Sequence, residues 1–85
     1  MAIVRMEPQQ VKVQVGWLDG RPRSIVLADR RVPVVSIAQV RDELAAYPIE
    51  RGPRRIYDVQ TPGAKLRVSF ERRRKRWMLE TLEAA

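Results

Sequence analysis

Between Phe70 and Trp77 the chain reads Glu71-Arg72-Arg73-Arg74-Lys75-Arg76, five consecutive cations flanked by two apolar runs. Arginine presents a rigid fork of N–H donors that matches phosphate bidentately, so such a run is suited to phosphate binding. Arg54 and Arg55 stand as flanking candidates, with Arg51 a further uncompensated cation. Two blander readings compete. The run also serves as a solvated turn that deters edge pairing, and short basic runs resemble localisation signals, which are unspecific.

Covalent chemistry is harder to assemble. The chain contains no histidine and no cysteine, which removes the commonest general base, the thiol nucleophile and the usual transition-metal ligands. Aliphatic hydroxyls come only from Ser24, Ser36, Ser69, Thr61 and Thr81. A Ser69–Lys65 pair is conceivable, but both read as solvated strand residues on an open face. Asp42-Glu43 is the one adjacent carboxylate pair, too few oxygens for a divalent cation. Gly16, Gly20, Gly52 and Gly63 are scattered, so no phosphate-cradling loop is present. No catalytic residue, metal or cofactor is expected, and the chain reads as non-enzymatic.

The elements that must position the cations read mainly as β. Met1–Gln9 has no clear period and is expected to be a flexible N-terminal arm, with residues 10–83 as one small β-rich domain. Val11, Val13, Val15 and Trp17 alternate with Lys12, Gln14 and Gly16, a strict period of two. Asp19-Gly20 and Pro22 end that strand in a turn. Ser24–Ala28 reads as a second strand buried on both sides, and Asp29-Arg30-Arg31 as a reversal. Val32–Val35 is a short third strand that Pro33 demotes toward an edge. Ile37, Val40, Leu44 and Tyr47 then recur at helical spacing behind a Ser36/Gln39 capping box, predicting a short helix near residues 37–46 that ends before Pro48.

The second half predicts two hairpins. With Pro62-Gly63 as a turn of type II composition, Val59 faces Leu66, Tyr57 faces Val68 and Asp58 faces Arg67. With Arg72–Lys75 as a four-residue loop, Phe70 faces Trp77, Val68 faces Leu79 and Arg67 faces Glu80. Both registers put the apolar set on one face. They also place Arg67 between Asp58 and Glu80, a ladder that neutralises the outer face and leaves the tip as the free charge. Trp17, Tyr57, Phe70 and Trp77 share the core-facing parity, so core packing is expected for all four, with Trp77 bordering the tip.

At 85 residues this is one domain with room for one modest core. The net charge of +7 is uneven: residues 51–76 hold ten Lys/Arg against Asp58 and Glu71. Such asymmetry points to nucleic acid or another anionic partner. A disulfide-free chain whose apolar runs are all short predicts a cytoplasmic location and no membrane association.

One resemblance adds to this. Trp17-Leu18-Asp19-Gly20-Arg21-Pro22-Arg23, Arg54-Arg55-Ile56-Tyr57-Asp58-Val59-Gln60-Thr61, the Leu66/Val68/Phe70 alternation and Arg76-Trp77-Met78-Leu79-Glu80 together resemble a small, uncharacterised bacterial family, a domain of unknown function found beside or fused to Y-family translesion DNA polymerases. The resemblance spans about residues 11–82. It implies a bacterial, DNA-repair-adjacent setting and assigns no site residues.

The expectation is a mainly β domain, with α+β as the alternative: about five antiparallel strands in two hairpin units, one short helix, and room to curl into a small open barrel. Its function is expected to be a nucleic-acid-binding accessory module for DNA or RNA, of low sequence specificity. Arg72, Arg73, Arg74, Lys75 and Arg76 make the phosphate contacts in this reading, and Arg54 and Arg55 flank them. The alternative is a protein-interaction module that docks on an acidic partner or self-associates through a strand edge, at Val32–Val35 or Val11–Val15. The oligomeric state is not legible.

Overall fold

A computed structural model describes residues 3–44 and 52–84. Those residues form seven antiparallel strands and no helix: β1 (Ile3–Val15), β2 (Pro22–Leu27), β3 (Arg30–Pro33), β4 (Ser36–Glu43), β5 (Arg54–Thr61), β6 (Ala64–Glu71) and β7 (Arg76–Ala84). They make one sheet in the order β3-β2-β1-β7-β6-β5-β4. The two edge strands, β3 and β4, are consecutive in sequence and joined only by Val34-Val35. So short a link draws one end of the two edges together and curls the sheet into a half-barrel. Val34 N donates to Arg23 O at 2.9 Å and Val35 N to Gln60 O at 2.7 Å, so the link bridges β2 and β5.

The concave face carries the core: Ile25 from one arm of the curl packs with Tyr57, Val59, Leu66, Val68 and Leu79 from the other. Ile25 and Val68 are fully buried. Val11, Val13, Leu27, Val34, Ile37, Trp77 and Leu82 pack around them.

The helix expected near residues 37–46 is instead β4, as far as its residues are described; Ala45, Ala46, Tyr47 and Pro48 lie outside them. A β-bulge explains the misreading. Ile37 pairs with Val59 and Gln39 with Asp58, so Ala38 is an extra residue in the ladder. One extra residue returns the side chain three positions on to the same face. Ile37 and Val40 therefore both face Val59 and Tyr57, at a spacing that mimics a helix. β7 repeats the device: Val68 pairs with Leu79 but Arg67 with Thr81, so Glu80 is the extra residue and Leu79 and Leu82 both face inward.

That second bulge also corrects one register. Tyr57, Asp58 and Val59 pair as expected with Val68, Arg67 and Leu66, and Phe70 and Val68 with Trp77 and Leu79. Arg67 does not pair with Glu80. It keeps Asp58 through Nε at 2.7 Å and Nη2 at 3.3 Å, a pair that raises the Arg67 pKa.

Further corrections concern β1 and the turns. The segment 3–9, expected as an arm, belongs to β1 and pairs in part with β7, with an irregularity between Arg5 and Gln9 where Pro8 cannot donate to the ladder. Met1 and Ala2 lie outside the described residues. β3 and β4 are the outer strands of the sheet and β1 lies inside its order, although of Val11–Val15 only Val11 pairs with β7, while Lys12–Val15 pair with β2 alone. Pro62-Gly63 is the two-residue loop expected, but Gly63 lacks the positive φ that type II requires.

The β2–β3 reversal is Ala28-Asp29, between the paired Leu27 and Arg30. Both residues have positive φ, 49° and 63°, as a type I′ turn demands. Alanine is a poor occupant of that conformation. Ala28→Asn is expected to stabilise the domain by about 0.5–1 kcal/mol, read as a higher urea midpoint with an unchanged m-value.

Candidate nucleic-acid interface

The basic tip is a four-residue loop, Arg72–Lys75, closed by the pair Glu71–Arg76. Lys75 takes a positive φ of 50° to turn the chain back. A neighbouring segment braces it. Arg72 N donates to Pro53 O at 3.1 Å, and a Cβ added to Gly52 would fall 2.9 Å from Arg73 Cδ. The Arg73 stem therefore lies directly on Gly52, whose φ of 64° and close contact both call for glycine.

The seven cations read from sequence separate into three groups. Arg54 and Arg76 are structural, on the convex face. Arg54 is half-buried and donates to Glu80 through Nη1 and to Glu43 through Nη2 at 3.4 Å, while its Nε is buried without a partner. Arg76 Nε donates to Glu71 Oε1 at 2.6 Å, and Glu71 is fully buried. The Arg54 side chain is 12% and the Arg76 side chain 25% exposed, so each offers less surface to a phosphate than the cations of the loop itself.

Arg55 and Arg72 form the second group, gathered on Asp42. Arg55 holds the carboxylate bidentately, Nε at 2.8 Å and Nη2 at 3.3 Å, and Arg72 Nη2 approaches at 3.3 Å. The Arg55 hydrogen bond holds the Asp42 carboxyl below its ordinary range, with Arg72 adding to the effect. The Arg55 pKa is raised, first by Asp42 and then by the Tyr57 hydroxyl. A carboxyl depressed on folding stabilises the fold above its unfolded pKa, and that contribution is lost as pH falls through the lower folded value. Asp42 is therefore charged at neutral pH, and its two arginines stay tethered there.

Arg73, Arg74 and Lys75 are the third group: exposed, with no ion pair or side-chain hydrogen bond among the described residues. Arg51 lies outside the described residues.

The consecutive acids Asp42 and Glu43, expected on one solvated helical face, point to opposite faces of a strand. Asp42 serves the concave side through Arg55, and Glu43 the convex side through Arg54. Ser69 also departs from expectation. It is fully buried rather than solvated and donates to Glu80 at 3.0 Å, while Lys65 is exposed.

An aromatic groove of about 400 Å³ adjoins the tip, a feature missed in the sequence. Tyr57, Phe70 and Trp77 wall it, with Trp77 5.4 Å from Tyr57 and 5.1 Å from Phe70 between ring centroids. Arg55, Arg72, Val15, Asp19 and Gly20 complete the lining. The shared parity of the three aromatics was the signal available; what brings the β1–β2 turn across them is the curl of the sheet.

That turn overturns the expectation for Trp17. The alternation stops at Val15, where the β1–β2 register shifts and the chain reverses. Gly20 N donates to Gly16 O at 2.8 Å, Gly16 N to Arg21 O at 2.9 Å, and Arg21 N to Asp19 Oδ1 at 3.0 Å. The last of these holds the Asp19 carboxyl below its ordinary range. On this hydrogen-bonded loop Trp17 is 90% and Leu18 79% exposed.

No family model, curated protein or solved structure matches this chain. No helix among the described residues is long and apolar enough to cross a membrane, and no group of metal-ligating side chains occurs among them.

Proposed function

We propose that this domain is a non-enzymatic nucleic-acid-binding accessory module whose phosphate contacts come from Arg72, Arg73, Arg74 and Lys75, in the bacterial DNA-repair setting that the resemblance implies. The observation that carries the reading is the tip itself: Arg73, Arg74 and Lys75 are exposed on a braced loop and unpaired among the described residues. A soluble surface gains little from concentrating like charges on one turn, because they repel one another at that spacing. A phosphate chain relieves the repulsion and releases its condensed counterions. Arg76 and Arg54 hold the fold beneath the tip, so four cations rather than five meet the polyanion. On duplex DNA that predicts a log–log salt slope between about −2.7 and −3.6, at roughly −0.9 per neutralised phosphate. Fluorescence anisotropy of labelled DNA and RNA across a salt series tests this. An absence of binding at low salt overturns the reading.

Asp42 competes with phosphate for Arg55 and Arg72. Asp42→Asn is therefore expected to tighten polyanion binding, freeing Arg72 fully and adding Arg55 as one further contact that steepens the duplex salt slope by about 0.9. Weaker binding by this variant would mean that the tether orients the two arginines instead of occupying them.

A further inference from the structure

Resting on the phosphate-binding reading above, we infer that the aromatic groove beside the tip receives bases of a single-stranded nucleic acid, so that the domain selects single strands over duplex. The groove's volume of about 400 Å³ lies within the roughly 300–1,000 Å³ of ligand pockets. Phe70 and Trp77, both part-exposed, form its aromatic wall, with the buried Tyr57 ring against Trp77.

Charge is partitioned between the groove and the tip. The groove's Arg55 and Arg72 pair with Asp42 just outside its lining, and its Asp19 lies 3.6 Å from Arg23, so the charges of the lining are largely neutralised. The unpaired cations Arg73, Arg74 and Lys75 stand just beyond Arg72. A nucleotide has the same partition, an uncharged aromatic heterocycle joined to an anionic phosphate. A base therefore fits the balanced aromatic groove while its phosphates meet the tip. A duplex keeps its bases stacked on one another and offers only phosphates, so it engages the tip alone.

The β1–β2 turn supplies a second, independent observation. Val15, Asp19 and Gly20 form one bank of the groove, and Trp17 and Leu18 crown the same hydrogen-bonded turn. An indole 90% exposed on a hydrogen-bonded turn is a stacking platform of the kind single-strand binders use. Each base stacked on an aromatic side chain raises affinity by roughly 5–150-fold, whatever the base.

The test compares a labelled oligothymidine, an abasic strand of equal length and a duplex, each titrated with the full chain by anisotropy at low salt. Oligothymidine is expected to bind at least about tenfold tighter than the abasic strand and to quench tryptophan fluorescence. Trp17→Ala, at a site too exposed to threaten folding, is expected to erase much of that difference while leaving abasic-strand affinity unchanged. Equal affinity for the two strands, with the tip-dependent salt slope intact, overturns the groove and leaves the phosphate reading standing. A preference for thymidine that survives both Trp17→Ala and Phe70→Leu also overturns it. No binding of either strand removes both readings.

Discussion

Replacing Arg73, Arg74 and Lys75 together by glutamine is expected to flatten the duplex salt slope by about 2.7, three contacts at roughly 0.9 each. Between 50 and 200 mM salt those contacts account for about a 40-fold fall in wild-type affinity, which the variant no longer shows. Stability is expected to change by less than ~0.5 kcal/mol, because all three side chains are exposed and unpaired. The loss should be uniform across sequences, since phosphate contacts position a protein without reading bases. Arg76→Gln is the informative contrast. Arg76 is bound to buried Glu71, so its substitution is expected to lower stability and to leave the slope of the folded fraction nearly unchanged. A triple variant with an unaltered slope would show that the tip is only a solvated turn.

Glu71→Ala is expected to destabilise the domain by about 3–5 kcal/mol, because it leaves the Arg76 guanidinium partly buried without its carboxylate. Set against a total stability of roughly 4–12 kcal/mol for a chain of this size, that is near the limit of folding. Urea denaturation would show the midpoint falling with an unchanged m-value. Glu71→Met combined with Arg76→Leu is expected to recover most of the loss, since a well-packed apolar pair often matches a buried ion pair in stability. A single variant that costs under ~1 kcal/mol would mean that the pair is effectively solvated. The contrast with the tip matters for function: the cations of one hairpin divide into those that hold the fold and those free to bind.

The hairpin framework beneath this division was within reach of the sequence. The hairpins of the second half follow from alternation and turn composition, and two residue pairs confirm the logic. Asp58 faces Arg67, and Phe70 faces Trp77. The failures cluster at bulges and at a reversal. Ala38 and Glu80 each add a residue to a ladder, which converts a period of two into a spacing of three. Periodicity cannot distinguish that from a helical turn, so β4 reads as a helix. The bulge at Glu80 also turns its carboxylate from Arg67 toward Arg54 and Ser69, which removes Arg54 from the candidate surface. Trp17 fails for a related reason, because extrapolated parity carries no information past the residue where the chain turns back.

The sequence by itself determined a small β-rich domain, its two C-terminal hairpins, the solvent-exposed basic loop and the lack of histidine and cysteine. Local alternation, turn residues and composition are enough for each of these. Only the tertiary structure decided which cations remain free, because pairing depends on carboxylates distant in sequence: Asp42 for Arg72, Glu80 for Arg54. It also decided that an aromatic wall meets the β1–β2 turn to form a groove beside the tip. That meeting follows from joining the two edge strands through Val34-Val35. So short a link curls the sheet and brings together residues that no local pattern connects.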